Sequence, residues 1–124
     1  MIVSLGMQFG KELVNYPEED KKKIYAFLLH VKKNGFHGLE GRNKSSDNVH
    51  KDDPGYLEKV RLAVQYKLWH YHIGIVEYDY SKPHGDRTSE YVLHYMNECI
   101  PQEVKIVDFS SHPPFRPPSA AYLM

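Results

Sequence analysis

One cysteine, Cys99, stands in 124 residues. That excludes an intramolecular disulfide and any zinc site built on thiolates. No apolar run approaches the roughly 18 residues of a membrane-spanning helix. The opening MIVSLGMQFGKEL also lacks a basic segment followed by a long apolar one, so the expectation is a cytoplasmic protein without membrane contact. Net charge is absent too: 16 basic and 16 acidic residues cancel, which disfavours bulk electrostatic capture of nucleic acid and leaves only local patches. There is no glycine-rich phosphate loop, no serine nucleophile elbow and no His-Glu-x-x-His helix. No internal repeat occurs.

What remains is ordinary globular material with an unusual histidine pattern. Hydrophobic residues make up 41% and charged residues 26%, so disorder is not the default, and the length fits one domain over 1–124. Eight histidines are present, and two of them lie in KLWHYHIGIV, residues 67–76. With a two-residue period, Trp69, Tyr71, Ile73 and Ile75 share one face of a strand, and His70 and His72 share the other. Two imidazoles one pleat repeat apart leave the sheet side by side, where they can share a phosphate, a metal or a proton.

The chain divides into helices first and strands second. Ile2, Val3 and Leu5 suit a short strand or a lead-in, and residues 11–16 a short helix. A longer helix begins near Pro17, whose acidic followers Glu18, Glu19 and Asp20 suit the positive end of the dipole. Ile24, Phe27, Leu28 and Val31 form its apolar stripe, Lys32 and Lys33 sit at its negative end, and Gly35 closes it. From Gly38 to Gly55 the composition turns to Gly, Asn, Ser and Asp. A segment that long is mobile or functional.

Between Val60 and Tyr66 alternation reads as strand, whereas Leu57, Val60 and Val64 fit a helix. The apolar set changes phase between Leu68 and Trp69, which places a bulge, a bend or a separate element there. A meander follows: strands over 69–80, 90–96 and 103–110, with turns at 81–88 and 97–102. The proline-rich tail from about His112 to Pro118 cannot continue a central strand. The fold class is α+β, with N-terminal helices on a small antiparallel sheet, and Trp69 is expected against the Ile24/Phe27/Leu28/Val31 stripe.

The chemistry-bearing candidates follow from this layout. His70 and His72 either face solvent or form a working pair. If Tyr91, Leu93 and Tyr95 face the core, His94 joins the same face, and otherwise it is a satisfied sheet histidine. His112 closes that face from the end of the sheet or belongs to an idle tail. Arg87, after the Gly85-Asp86 turn, and Arg116 suit bidentate phosphate contact; a surface role is the alternative for Arg87. Arg42 and Lys44, with Lys32 and Lys33, make a candidate basic rim. The run Lys21–Lys23 follows three acids and reads as a solvated helix face.

Leu68-Trp69-His70-Tyr71-His72-Ile73-Gly74 resembles the Leu-aromatic-basic-x-basic-x-Gly strand of the RelE/ParE toxin superfamily. Tyr91–Tyr95 stands where those toxins carry a strand ending in tyrosine, and VKIVDFSSHPPF takes the place of the last strand, which there ends near a His or Arg. Within the superfamily the likeness is to YafO-type toxins. It rests on Lys33-Asn34-Gly35 ending the second helix, on Gly41-Arg42-Asn43 before an Asp-rich segment, and on the His-x-His strand. Arg87-Thr88 and the proline-rich end add to it, and together they span about residues 25–118. The chain departs from the pattern in having histidines where many relatives carry Arg or Lys, and Val92 where an arginine is usual.

The resemblance implies a RelE-like fold and the toxin of a type II toxin–antitoxin pair. Its implied activity is endoribonucleolytic cleavage of mRNA, usually on the translating ribosome, with a cognate antitoxin protein as inhibitor. His70 and His72 take the places of the basic strand residues and His112 that of the basic residue after the last strand. Metal-free RNA cleavage needs a base for the 2′-OH proton, cations for the phosphorane charge, and an acid for the leaving 5′-oxygen. No cofactor or metal is called for. His70 or His72 is the expected base, His94 or His112 the acid, and Arg87 or Arg116 the phosphate contact, with Arg42 and Lys44 binding substrate. Two other classes stay open: a metal-binding domain using His70, His72, His94 and Asp108, and a noncatalytic ParE-like module that grips a protein.

Overall fold

Local signals around Pro17 explain the first half of the computed structural model, which describes residues 1–99, 102–112 and 116–123. Strand β1, Ile2–Leu5, is followed by α1, Met7–Leu13, and α2, Glu18–Asn34. The short helix thus begins four residues before the expected Lys11. Phe9 and Leu13, one turn apart, both reach the core, and Tyr16, preceding a proline, is pushed out of helical geometry. Helix α2 follows the sequence closely. Its first turn holds Glu18, Glu19 and Asp20 and its last Lys32 and Lys33. Gly35 at φ +65° donates its N–H to the Val31 carbonyl and ends it.

After the short strand β2, Asn43–Ser45, the ambiguous stretch is helical: α3 spans Tyr56–Tyr66. The strand alternative for Val60–Tyr66 is therefore corrected. Asp53 accepts the Gly55 N–H at 2.7 Å and the Lys59 ammonium at 2.7 Å, which nucleates the first turn. The apolar face also differs from the expected Leu57/Val60/Val64 stripe: Leu57 and Val64 are exposed, while Leu62, Ala63 and Tyr66 pack inward. Lys67 at φ +53°, in the left-handed region, ends α3. That residue is the cause of the phase change seen at Leu68/Trp69, because a helix ends and a strand begins there.

Strands β3 (Leu68–His72), β4 (Tyr91–Cys99) and β5 (Gln102–Ser111) follow, then α4 (Ala120–Leu123). The expected 97–102 connection is shorter than read, because β4 continues to Cys99; residues 100 and 101 lie outside the described residues, as do 113–115 of the expected tail. The expected strand over 69–80 stops at His72. Gly74, at φ +82°, turns the chain, with the Tyr78 ring lying where its side chain would be. Lys23 donates to the Gly74 and Val76 carbonyls at 2.6 and 2.9 Å, pinning the segment after the turn to α2. The sheet order is β1-β5-β4-β3-β2. It is mixed rather than antiparallel, since β1 runs parallel to β5 while the other pairs are antiparallel.

Helices cover both faces of this sheet. On one, Phe9, Leu13, Ile24, Phe27 and Val31 meet Tyr71, Ile73, Leu93, Tyr95, Val104 and Ile106 in the main core, with Trp69 and Leu28 half-buried at its rim. On the other, Leu68 and Val107 pack with Ala63 of α3 and Leu123 of α4. The histidines occupy the remainder of that second face. No helix among the described residues is long and apolar enough to cross a membrane.

Candidate functional site

Strand register assembles the histidines. Lys44 of β2 stands opposite His70 of β3, and His70 opposite His94 of β4, so the three lie in a row on one face of the sheet. His72 lies two residues further along β3 on that face. His112 follows the end of β5 and donates its backbone N–H to the Glu90 carbonyl at 2.7 Å. The rings gather closely: His70 is 6.2 Å from His72, 6.3 Å from His94 and 5.4 Å from His112, centre to centre, and His72 stacks on His112 at 5.5 Å.

The solvent-facing alternative for His70 and His72 is corrected by their exposures of 6% and 5%. The 42–53 segment lies over them. Arg42, Lys44, Ser46, Asp53, His50 and three of the clustered histidines (His70, His72 and His112) line a hollow of about 310 Å³. A second hollow of about 570 Å³ shares Arg42, His72 and His112 and extends past Tyr78, Thr88 and Glu90. The loop-like composition of residues 38–55 thus belongs to the wall of a site. Its attachment is built on glycine. The Gly41 N–H donates to the Tyr71 hydroxyl at 3.0 Å, the Tyr78 hydroxyl donates to the His72 carbonyl at 2.8 Å, and a Cβ on Gly41 would collide with both the His72 carbonyl and the Tyr78 hydroxyl.

Serines orient the rings, and nothing in the sequence pattern marks them, because only register brings them near. Ser46 Oγ and His70 Nδ1 share a 2.9 Å hydrogen bond; His72 Nδ1 sits 3.0 Å from the Ser89 N–H and 2.9 Å from its carbonyl; His94 Nε2 meets Ser110 Oγ at 2.8 Å. Burial pushes the His70 imidazole down to about 3, with His94, His112, His72 and Lys44 adding to the effect. Burial and then His112 push His94 down to about 3. His72 is lowered by burial, against an opposing bond to Ser89, and His112 by burial, Arg42 and Lys44. Near neutral pH these four rings are predominantly uncharged, and the hollow that His70, His72 and His112 line has Arg42 and Lys44 as its cations.

An unfolded imidazole takes a proton near pH 6.5, whereas folded His70 and His94 resist protonation down to about 3. Between those values the unfolded chain binds protons that the folded one does not, so the stability contribution is complete above 6.5 and falls as pH falls. Urea midpoints measured from pH 7 to pH 5 are expected to drop steadily, and a flat profile would contradict the buried cluster.

Other candidates sit elsewhere. Arg87 does not reach the histidines: it donates to Glu40 at 2.7 Å and to the Lys82 carbonyl at 3.1 Å, and lies over the Tyr80 ring. The phosphate contact expected of it is corrected on that ground. Arg116 is exposed and is not among the residues lining either hollow. Arg42, by contrast, lines both, paired in a two-pronged contact with Asp86 at 2.6 and 3.2 Å. Lys44 is exposed at the rim and has no acid partner among the described residues. Asp108, the register partner of His94, has its carboxyl raised to about 6 by burial; it accepts the Phe109 N–H and feels Glu12 rather than the histidines. It does not join a metal set with them.

No family model, curated protein or solved structure matches the chain. The residues themselves therefore carry the functional reading.

Proposed function

We propose that the protein is a metal-independent endoribonuclease, a toxin of the YafO type in the RelE/ParE superfamily, that cleaves mRNA and thereby inhibits translation. The observation that carries this is the gathering of uncharged His70, His72 and His112 at one hollow beside Arg42 and Lys44. Neutral imidazoles are competent bases, and one that has taken a proton becomes the acid. Cations beside them favour an anionic substrate and stabilise charge building on a phosphorane.

In this reading His72 takes the 2′-OH proton and the 2′-oxygen attacks phosphorus. His112, in the fraction of molecules in which its ring carries a proton, protonates the departing 5′-oxygen, giving a 2′,3′-cyclic phosphate and a 5′-hydroxyl and leaving the 2′-OH proton on His72. Lys44 and Arg42 hold the phosphate oxygens in place of Arg87 and Arg116. His94, fully buried and bonded to Ser110, is not the acid. The RelE-like likeness of the His-x-His strand and of Gly41-Arg42-Asn43 supports mRNA on the ribosome as substrate and a cognate antitoxin as inhibitor.

Expression of the chain alone in a bacterium is expected to arrest protein synthesis and to leave cellular mRNA with 2′,3′-cyclic phosphate ends. Purified protein is expected to cut a translated message in the presence of chelator. Undiminished synthesis at good soluble expression, or cleavage of a strand carrying 2′-deoxyribose at the scissile position, would overturn the reading.

A further inference from the structure

We infer that His70, His72 and His112 also form a seat for one zinc-class divalent ion, and that an ion held there shuts off proton transfer by the same rings. The second half rests on the ribonuclease reading; the first does not.

Each of the three residues offers one ring nitrogen, and these atoms lie within 4.8 Å of one another. A tetrahedral zinc with bonds of about 2.0–2.1 Å needs its nitrogens roughly 3.3 Å apart. Metal binding therefore draws the ring nitrogens together by up to about 1.5 Å. The outer atoms are already engaged: His70 Nδ1 with Ser46 and His72 Nδ1 with the Ser89 backbone, so the ligand atom on each of those rings is Nε2. Fixing the far nitrogen of a ligating histidine is how proteins orient such rings.

Chemistry narrows the ion. The set is three nitrogens with no carboxylate among them, which suits zinc, copper, nickel or cobalt and not magnesium or calcium. His94 and Asp108, the other members of the set expected from sequence, are engaged with Ser110 and the Phe109 N–H. Three protein ligands leave a fourth position, which opens on the hollow lined by Arg42 and Lys44 and takes water or an anion. Those two cations weaken the hold on a metal, which makes the ion a reversible occupant. A ring whose lone pair is bound to metal cannot accept a proton, so an occupied seat and a working base exclude each other.

The test uses the whole metal-free protein. Cobalt(II) is expected to bind at one per chain with the intense visible bands of tetrahedral coordination, and to broaden the ring signals of His70, His72 and His112 in the NMR spectrum of the unaltered protein. Zinc is expected to displace it. His112→Ala, at the end of β5, is expected to weaken cobalt binding at least tenfold, while His84→Ala in the exposed 81–88 turn leaves it unchanged. Absence of saturable binding, broadening confined to other histidines, or binding unchanged in His112→Ala would overturn the seat. Saturating zinc is expected to reduce cleavage at least tenfold; cleavage that persists with zinc bound, or that requires zinc, would overturn the shut-off. Cobalt binding as described, with no cleavage by the metal-free protein, would sink the ribonuclease reading and leave the seat standing.

Discussion

The His72→Gln/His112→Gln protein is expected to cleave RNA about 10²–10⁴-fold more slowly than the unaltered chain. Both residues line both hollows, and in the proposed mechanism they are the base and the acid. Their losses are not additive, because either one alone stops the relay. Glutamine suits the experiment better than alanine. His72 is 5% exposed, and alanine there would open a cavity and cost stability in its own right. Glutamine keeps most of the volume and a hydrogen-bonding end for Ser89, but it cannot exchange a proton near neutral pH. Cleavage of a translated message and the urea midpoint should be measured on the same preparation. Full activity in a folded variant would end the histidine mechanism, whatever the substrate.

That the histidines share a face was legible in the sequence, because a two-residue period fixes which side of a strand each residue takes. Tyr71, Ile73, Leu93 and Tyr95 do reach the main core, with His70, His72 and His94 opposite them. What covers the second face was not legible. Three short stretches, α3, α4 and the 42–53 segment, decide it, and α3 is read only by its local turn chemistry: Asp53 with Gly55 and Lys59 at one end, Lys67 in the left-handed region at the other. The phase change at Leu68 was a correct signal of a separate element, but periodicity over so few residues could not say which kind.

The cations show a second limit. The sequence points to Arg87 for the phosphate contact and gives Arg42 only a place on a basic rim. An isolated bridge between Gly41 and Arg87 brings the two arginine-bearing segments together. Side-chain partners then separate their roles: Glu40 and the Tyr80 ring hold Arg87 away, while Arg42 stays at the hollow with Asp86. Parallel pairing of β1 with β5 was equally hidden, because a first strand of four residues carries no information about which edge it will join.

Phe27→Ala is expected to cost about 3–5 kcal/mol in unfolding free energy, a fifth or more of the stability of small domains, which lies at about 5–15 kcal/mol. Phe27 is 4% exposed and stacks on Tyr71 at 4.6 Å with the rings 20° apart, and it also meets Tyr95 at 6.2 Å. The Tyr71 hydroxyl in turn receives the Gly41 N–H and lies 2.9 Å from the Tyr78 hydroxyl, so the ring under Phe27 also anchors the segment over the histidines. Trp69, placed by its face against the same helix, is only half-buried at the core's rim. Its removal is expected to cost distinctly less, because part of its surface already meets water in the folded state. Urea denaturation of the two variants side by side decides the matter. A Trp69→Ala cost equal to or above that of Phe27→Ala would mean that the packing of α2 on β3 is centred on the tryptophan and not on the Phe27–Tyr71 stack.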